Sequence, residues 1–262
     1  MGVVNVTPDS FSDGGRYRDH DDAIAHGRSL REQGADWVDV GGESTRPHAE
    51  PVGVADELDR VLPVIAGLTA VPSLRVSIDT RKPEVAEAAV GAGATLINDV
   101  SATLGRVAAD LGVGFVAMHM LGDPRTMQRH PAYADVLFDV RDFLIERAEA
   151  ARAAGVDEVY IDPGIGFGKN LHHNLVLLAN LDVLAATGFP VLVGTSRKSM
   201  LGVLAARADR SPVPPPPHDR LEGSLATAVW AYLRGATMVR AHDVAETVRA
   251  AQLVRGMSAA AA

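Results

Sequence analysis

Residues 136–162 read VLFDVRDFLIERAEAARAAGVDEVYID. An amphipathic stretch, Val136–Ala154, stops at Gly155, and a short apolar run, Val159–Asp162, follows and closes on a carboxylate. A helical period, a glycine stop and then a strand make the helix-to-strand half of a repeating β–α unit. The same unit recurs in both directions along the chain. Candidate strands are Gly2–Val6, Trp37–Gly41, Arg75–Asp79, Leu96–Val100, Phe115–His119, Val159–Asp162, Pro190–Gly194 and Met238–Ala241. Amphipathic stretches such as Asp21–Gln33, Val54–Leu68, Glu84–Val90 and Leu221–Leu233 lie between them. Glycine stops fall at Gly34, Gly91, Gly155, Gly188 and Gly235, each shortly before a strand. The strands are nearly continuous apolar runs, as parallel strands buried on both faces must be. About eight alternations predict an α/β fold, a (β/α)8 TIM barrel forming one domain over residues 1–262, with the open doubly wound sheet as the alternative.

The chain length, 262 residues, suits one such barrel. Hydrophobic residues make up 47% and aromatics only 5%, so the core is aliphatic. The net charge of −8 argues against a sequence-independent grip on nucleic acid or on an acidic membrane surface. An anionic ligand must therefore be met by a local basic cluster. The chain has no cysteine, which excludes disulfides, thiolate nucleophiles and cysteine zinc sites. Residues 1–7 lack the basic start and apolar run of a signal peptide, and Val6 stands where a myristoylation signal wants Ser or Thr. No apolar run reaches membrane-spanning length. A cytoplasmic protein is the expectation.

In a barrel the active site lies at the C-terminal ends of the strands, and polar residues concentrate there. Asn5 ends the first strand, and Glu43 and Arg46 follow the second. Asp79 ends the third, Asn98 and Asp99 lie on the fourth, His119 ends the fifth and Asp162 the sixth. Ser196, Arg197 and Lys198 follow the seventh, and Arg240, His242 and Asp243 end the eighth. Single residues of this kind serve as helix caps or turn formers, as Asp79 before Thr80 or Asp162 before Pro163-Gly164 could. A polar residue at every strand end points instead to one shared site. Asp79, Asp162 and Asn98 together suit a planar heterocycle with several N–H donors. Arg197 and Lys198 at a helix start oppose its dipole unless an anion sits there. Arg240 lies within an apolar run and must point out of the barrel mouth.

Two turn-rich loops, Thr7–Gly15 and Gly41–Pro51, follow strands and are candidate lids. Gly164–Lys169 looks like a phosphate loop but lacks the Walker spacing, because Pro163 and Asn170 stand at its ends. His172 and His173 are adjacent and would face different sides of a helix. Ser211–Pro217, with four consecutive prolines, reads as a stiff exposed loop, and the Ala-rich end, Ser258–Ala262, is expected to fray.

Seven segments, in order and over nearly the whole chain, resemble the dihydropteroate synthase family. They are Asn5–Gly15 (NVTPDSFSDGG), Asp39–Pro47 (DVGGESTRP), Ser77–Thr80, Ile97–Asp99, Asp162–Lys169 (DPGIGFGK), Gly194–Ser199 (GTSRKS) and Arg240–Val244 (RAHDV). The resemblance implies that Asp79, Asn98, Asp162 and Lys198 hold a pterin ring. Arg240 would stack on that ring, and Met118, Phe167 and Gly194 would help to line its pocket. It implies that Asn5, Arg46, Arg240 and His242 receive pyrophosphate, with Mg2+ bridging Asn5 and phosphate oxygens. Phe11, Thr45, Pro47, Lys198 and Ser199 would frame p-aminobenzoate, and Asp13 would belong to the first lid. Members of the family are the targets of sulfonamides and are usually homodimers, so a homodimer is expected. Family members usually carry a hairpin ahead of the first strand, covering the barrel floor, whereas Met1 here stands almost directly on that strand. The native start is therefore expected upstream, or the chain to have been shortened. The stretch after Asn98 is shorter than in the family and the Pro-rich loop reads as an insertion. None of these departures removes a site residue.

The implied reaction joins 6-hydroxymethyl-7,8-dihydropterin diphosphate to p-aminobenzoate with loss of pyrophosphate. Two other readings stay open. A methyltetrahydrofolate methyltransferase would share Asp79, Asn98 and Asp162 but has no use for Thr45-Arg46-Pro47 or Ser196-Arg197-Lys198. A catalytically silent paralogue would bind pterin or a partner only.

Overall fold

The computed structural model describes residues 1–6, 20–45 and 49–260, side chains of residues 258–260 excepted. Eight strands alternate with helices. They are β1 (Gly2–Asn5), β2 (Trp37–Gly41), β3 (Arg75–Asp79), β4 (Leu96–Asp99), β5 (Gly114–Met118), β6 (Val159–Asp162), β7 (Leu192–Val193) and β8 (Met238–Val239). The helices are α1 (His20–Glu32), α2 (Val54–Thr69), α3 (Pro83–Gly91), α4 (Gly105–Leu111), α5 (Val136–Ala154), α6 (Leu171–Ala179), α7 (Leu181–Ala185), α8 (Ser199–Ala208), α9 (Leu221–Leu233) and α10 (Val244–Ala260). The ladder runs β1 to β6 in order and all parallel, and β7 pairs with β8. Single parallel bridges, Ile161 to Val191 and Gly2 to Ala241, join the two blocks into a closed ring. The open-sheet alternative is thereby excluded.

Side chains on a strand alternate between faces. Asp39, Asp79, Asn98 and Arg240 hydrogen-bond one another across the ring, so they point inward, and so do the residues two positions away. Trp37, Leu96, Val116, Leu192 and Met238, with Tyr160 packed against them, accordingly form a small cluster inside the barrel. The same alternation turns Asn5, Met118, Asp162 and Gly194 inward at the top. The larger core lies outside the strands, where Val38, Ile78, Ile97 and Phe115 meet Ile65, Leu68, Val85 and Leu144 of the helices. At the barrel floor Arg75 stacks on Trp37 at 3.7 Å and ion-pairs with Glu158.

The helix stops work as glycines in the left-handed region at Gly34, Gly155, Gly188 and Gly235. Gly91 is a correction: α3 includes it, and the left-handed residue is Gly93, at φ 111°. The Pro-rich segment is exposed between α8 and α9, and Arg220 ties it down by donating to Pro215 O at 2.8 and 2.9 Å. The chain is helical through Ala260, where fraying was expected; Ala261 and Ala262 lie outside the described residues.

Candidate active site at the barrel mouth

A cavity of about 820 Å³ opens at the C-terminal ends of the strands. Asn5, Thr45, Asp79, Asn98, Met118 and Asp162 line one part of it. Phe167, Gly194, Lys198, Ser199, Arg240 and His242 also line it, so every expected site residue that is described meets there. Phe11, Asp13, Arg46 and Pro47 lie outside the described residues, as does nearly all of the first lid.

The centre of the site is a charge network. Arg240 Nε donates to Asp39 Oδ2 at 2.7 Å and its Nη2 to Asp79 Oδ2 at 3.1 Å. Asn98 Nδ2 donates to the same Asp39 oxygen at 2.8 Å. A carboxylate only accepts, so this bond fixes the amide with its carbonyl turned the other way. Asn98 Oδ1 is buried and has no hydrogen-bond partner among the described residues, which leaves an acceptor waiting for a donor. Burial, reinforced by the charge of Asp39, raises the Asp79 carboxyl from 3.8 to about 7 despite Arg240. Burial likewise raises Asp162, opposed by Lys198 and by a hydrogen bond from Gly164 N. Lys198 is lowered to about 8, chiefly by burial. Its amine donates to Ile165 O and lies 4.6 Å over the Phe167 ring. The site thus presents acceptors, one cation beside an aromatic wall, and an arginine held edge-on by two carboxylates.

Around this centre lie the phosphate-side candidates. His242 Nδ1 is 3.0 Å from Ser196 Oγ. Ser199 is the first residue of α8, and Lys198 caps the helix without a side-chain bond, which leaves its first N–H groups for an anion. Arg197 takes φ 62°, an unusual conformation for a residue with a side chain, and pairs with Asp243 at 2.7 Å.

Three strand-end residues, Asp99, His119 and Asp243, are not among those that line the cavity. Asp99 accepts from Ser101 N, Thr103 N and Leu104 N and so shapes its own turn. His119 is buried against Lys169. Asp243 serves Arg197, pairing with it at 2.7 Å. Glu43, at the root of the second loop, engages Arg81 and Lys82, although its chain also borders the cavity. Conversely, Asp39 carries two partners of the site and was not singled out. The signal was present: a carboxylate inside the apolar run Trp37–Gly41, the same anomaly that marked Arg240.

A family profile described as "Pterin binding enzyme" matches residues 1–242. The dihydropteroate synthase of Escherichia coli (strain K12) is 44% identical over 260 residues, covering 97% of this chain and 89% of the relative. That of Mycobacterium leprae is 45% identical over 262 residues, covering 97% and 91%. Among solved structures, Yersinia pestis dihydropteroate synthase with a sulfonamide drug complex superposes with a TM-score of 0.92 at 43% identity, covering 99% of this chain and 94% of that one. Xanthomonas albilineans dihydropteroate synthase in complex with 7,8-dihydropteroate gives 0.86 at 46%, covering 99% and 93%. With the barrel, the mouth and these relatives in agreement along nearly its whole length, the chain belongs to the dihydropteroate synthase family of pterin-binding enzymes.

Proposed function

We propose that this chain condenses 6-hydroxymethyl-7,8-dihydropterin diphosphate with p-aminobenzoate, giving 7,8-dihydropteroate and pyrophosphate. The observation that carries the reading is the Asn98 carbonyl, unpartnered among the described residues, in one cavity with the half-buried Asp79 and the buried Asp162 carboxylates. Those acceptors match the N–H edge of a pterin, and Lys198 supplies a donor for a ring carbonyl. Relatives support the substrate pair: the Xanthomonas enzyme has been solved with 4-aminobenzoic acid as well as with 7,8-dihydropteroate.

In the reaction the bond from the pterin's exocyclic carbon to the diphosphate oxygen breaks, and its electron pair leaves with pyrophosphate. The pterin ring delocalises the positive charge left on that carbon. The amine nitrogen of p-aminobenzoate then donates its lone pair to the carbon and loses a proton to the released pyrophosphate or to water. This chain's residues act by electrostatics. Asp79 and Asp162 favour the cation, while Arg240 and His242, with Arg46 in the second loop, favour the departing anion. Phe11, Thr45, Pro47 and Lys198 frame the amine's ring, and its carboxylate meets Ser199 at the start of α8. No covalent nucleophile is required.

Mg2+ fits as a bridging ion rather than a caged one. Among the described residues no three His, Asp or Glu side chains cluster to hold a metal. Mg2+ commonly keeps several waters and binds through one protein oxygen plus substrate phosphates, and Asn5 at the mouth offers such an oxygen. When bound it would neutralise charge on the leaving pyrophosphate. We read residues 1–262 as one domain, cytoplasmic, without a membrane or nucleic-acid partner, working as a homodimer. In support of the last point, exposed Trp230, Leu233, Leu253 and Met257 give α9 and α10 apolar surface. No helix among the described residues is long and apolar enough to cross a membrane.

The test is pyrophosphate release. It must require both the pterin diphosphate and p-aminobenzoate. Release from the diphosphate alone, or none with both, overturns the reading; a methyltransferase or a silent pterin binder would give none.

A further inference from the structure

The segment between β6 and α6 is held in an unusual way. Gly164, Gly166 and Gly168 take positive φ of 62°, 86° and 63°, so the chain turns repeatedly and forms no ladder. Yet each of its five successive carbonyls is taken by a side-chain donor. Lys169 Nζ donates to Gly164 O and to Phe167 O, both at 3.0 Å. Lys198 donates to Ile165 O, Gln128 Nε2 to Gly166 O at 2.5 Å and Tyr133 Oη to Gly168 O at 2.7 Å.

Lys169 alone binds two of these carbonyls, and it also borders the cavity. It is 2% exposed, and its amine also reaches His119 O at 3.2 Å and His119 Nδ1 at 2.9 Å. An ammonium has three N–H groups, here shared among four acceptors on the β5 end and the loop. Burial holds the Lys169 amine down to about 7 and the His119 ring down to about 3, so the ring is neutral and able to accept. A buried amine is costly unless such bonds are made. The proposed chemistry does not use this one, and what it fixes is the backbone that carries Phe167.

We propose that Lys169 is a positioning residue for the pterin: by binding Gly164 O, Phe167 O and His119 O it holds the β6–α6 loop in the shape that sets Phe167 against the cavity. The proposal rests on the reading of the mouth as a pterin site. It acts through Phe167, so its effect on binding must depend on Phe167 being present.

The experiment is a double-mutant cycle. Affinity for the pterin diphosphate is measured by calorimetry in wild type, Lys169→Met, Phe167→Ala and the double variant, with folding followed by thermal melts. Lys169→Met should weaken binding on the order of tenfold or more, the scale of a lost charged hydrogen bond. In the Phe167→Ala background most of that loss should vanish. Because the chain has no cysteine of its own, Lys169→Cys can be alkylated in the unfolded state with bromoethylamine and refolded. The restored amine should recover most of the affinity. Unchanged affinity in Lys169→Met, or a loss that adds fully to that of Phe167→Ala, overturns the proposal while leaving the function standing. No binding by wild type overturns both. Should Lys169→Met not fold, Gln128→Ala loosens the same loop from the solvent side; its loss of affinity must also vanish without Phe167, and unchanged affinity there overturns the proposal.

Discussion

Asp79 is raised to about 7 by burial first and then by the charge of Asp39, with Glu57 and Asp99 adding to it and Arg240 opposing. Its ordinary value is 3.8, so between these pH values the folded protein holds a proton that the unfolded chain has lost. Stability from this group is therefore present below pH 3.8 and is lost as pH rises to about 7. Asp79→Asn cannot ionise and escapes that loss. The shift in melting temperature, variant minus wild type, should be more positive at pH 8 than at pH 4.5, and the reverse order would refute the assignment. The same substitution presents donors to donors, so pterin affinity should fall by about 1–3 kcal/mol, as it should for Asp162→Asn. Calorimetry showing no change in either variant would remove these carboxylates from the pterin. Arg240 has the opposite balance, since it neutralises Asp39, which is fully buried. Arg240→Ala should slow turnover on the order of 10²-fold, as for a lost transition-state donor. Near wild-type kcat at saturating substrate would contradict its role. That variant should also be less stable by about 3–5 kcal/mol, because it leaves a buried carboxylate unpaired.

Among the elements, the β6–α6 loop tolerates least. A Cβ on Gly164 would lie 1.9 Å from His119 O, and one on Gly168 would lie 2.7 Å from Leu121 O. Neither neighbour is the free end of a flexible side chain. Gly164→Ala should cost at least about 2 kcal/mol in denaturant unfolding, from overpacking and a strained φ together; a cost under about 0.5 kcal/mol would mean the loop adapts. Element boundaries were largely legible in the sequence, because strand and helix periods differ and glycine marks the joints. Val136–Ala154 and Leu221–Leu233 fall where their periodicity puts them. The strands β7 and β8 are shorter than their apolar runs, since an apolar run reports burial and not hydrogen-bond pairing. The cavity's membership was legible because a polar residue is anomalous at an inward strand end. The anomaly does not say which neighbour answers it. His119 and Asp99 stand at strand ends as Asp162 does, and only Asp162 lines the cavity; Asp39 lies deeper in its strand than the residues that line the mouth.

At the scale of the molecule the ring is uneven. Six strands share continuous ladders, while β7 and β8 are two residues each and meet their neighbours through single bridges. Backbone amides of β7 and β8 should exchange with solvent faster than those of β2 to β5 in the free enzyme. Uniform protection around the ring would contradict this. Binding order is a second property of the whole. Gly41 and Gly42 open the second loop and Gly14 and Gly15 close the first; fixing such chain costs about 1–2 kcal/mol per residue. On the proposed assignment, pyrophosphate with Mg2+ would offset that through Asn5 and Arg46, so p-aminobenzoate should bind last. Its affinity should rise when pterin, pyrophosphate and Mg2+ are present, and equal affinity with and without them would mean a preformed site.

The uneven ring has a mechanical consequence. Lys198 and Arg240 stand on the two-strand block, whereas Asp79, Asn98 and Asp162 stand on the six-strand block. A ligand that grips both sets works as a hoop stave across the weak joints, and the hoop tightens in proportion to how firmly it is held. Small molecules confined to one block fill the same hollow without drawing the joints together. Two inhibitors of equal affinity would thus protect the enzyme equally against global unfolding but differently against proteases that cut where the ring opens locally, according to whether they straddle the joint.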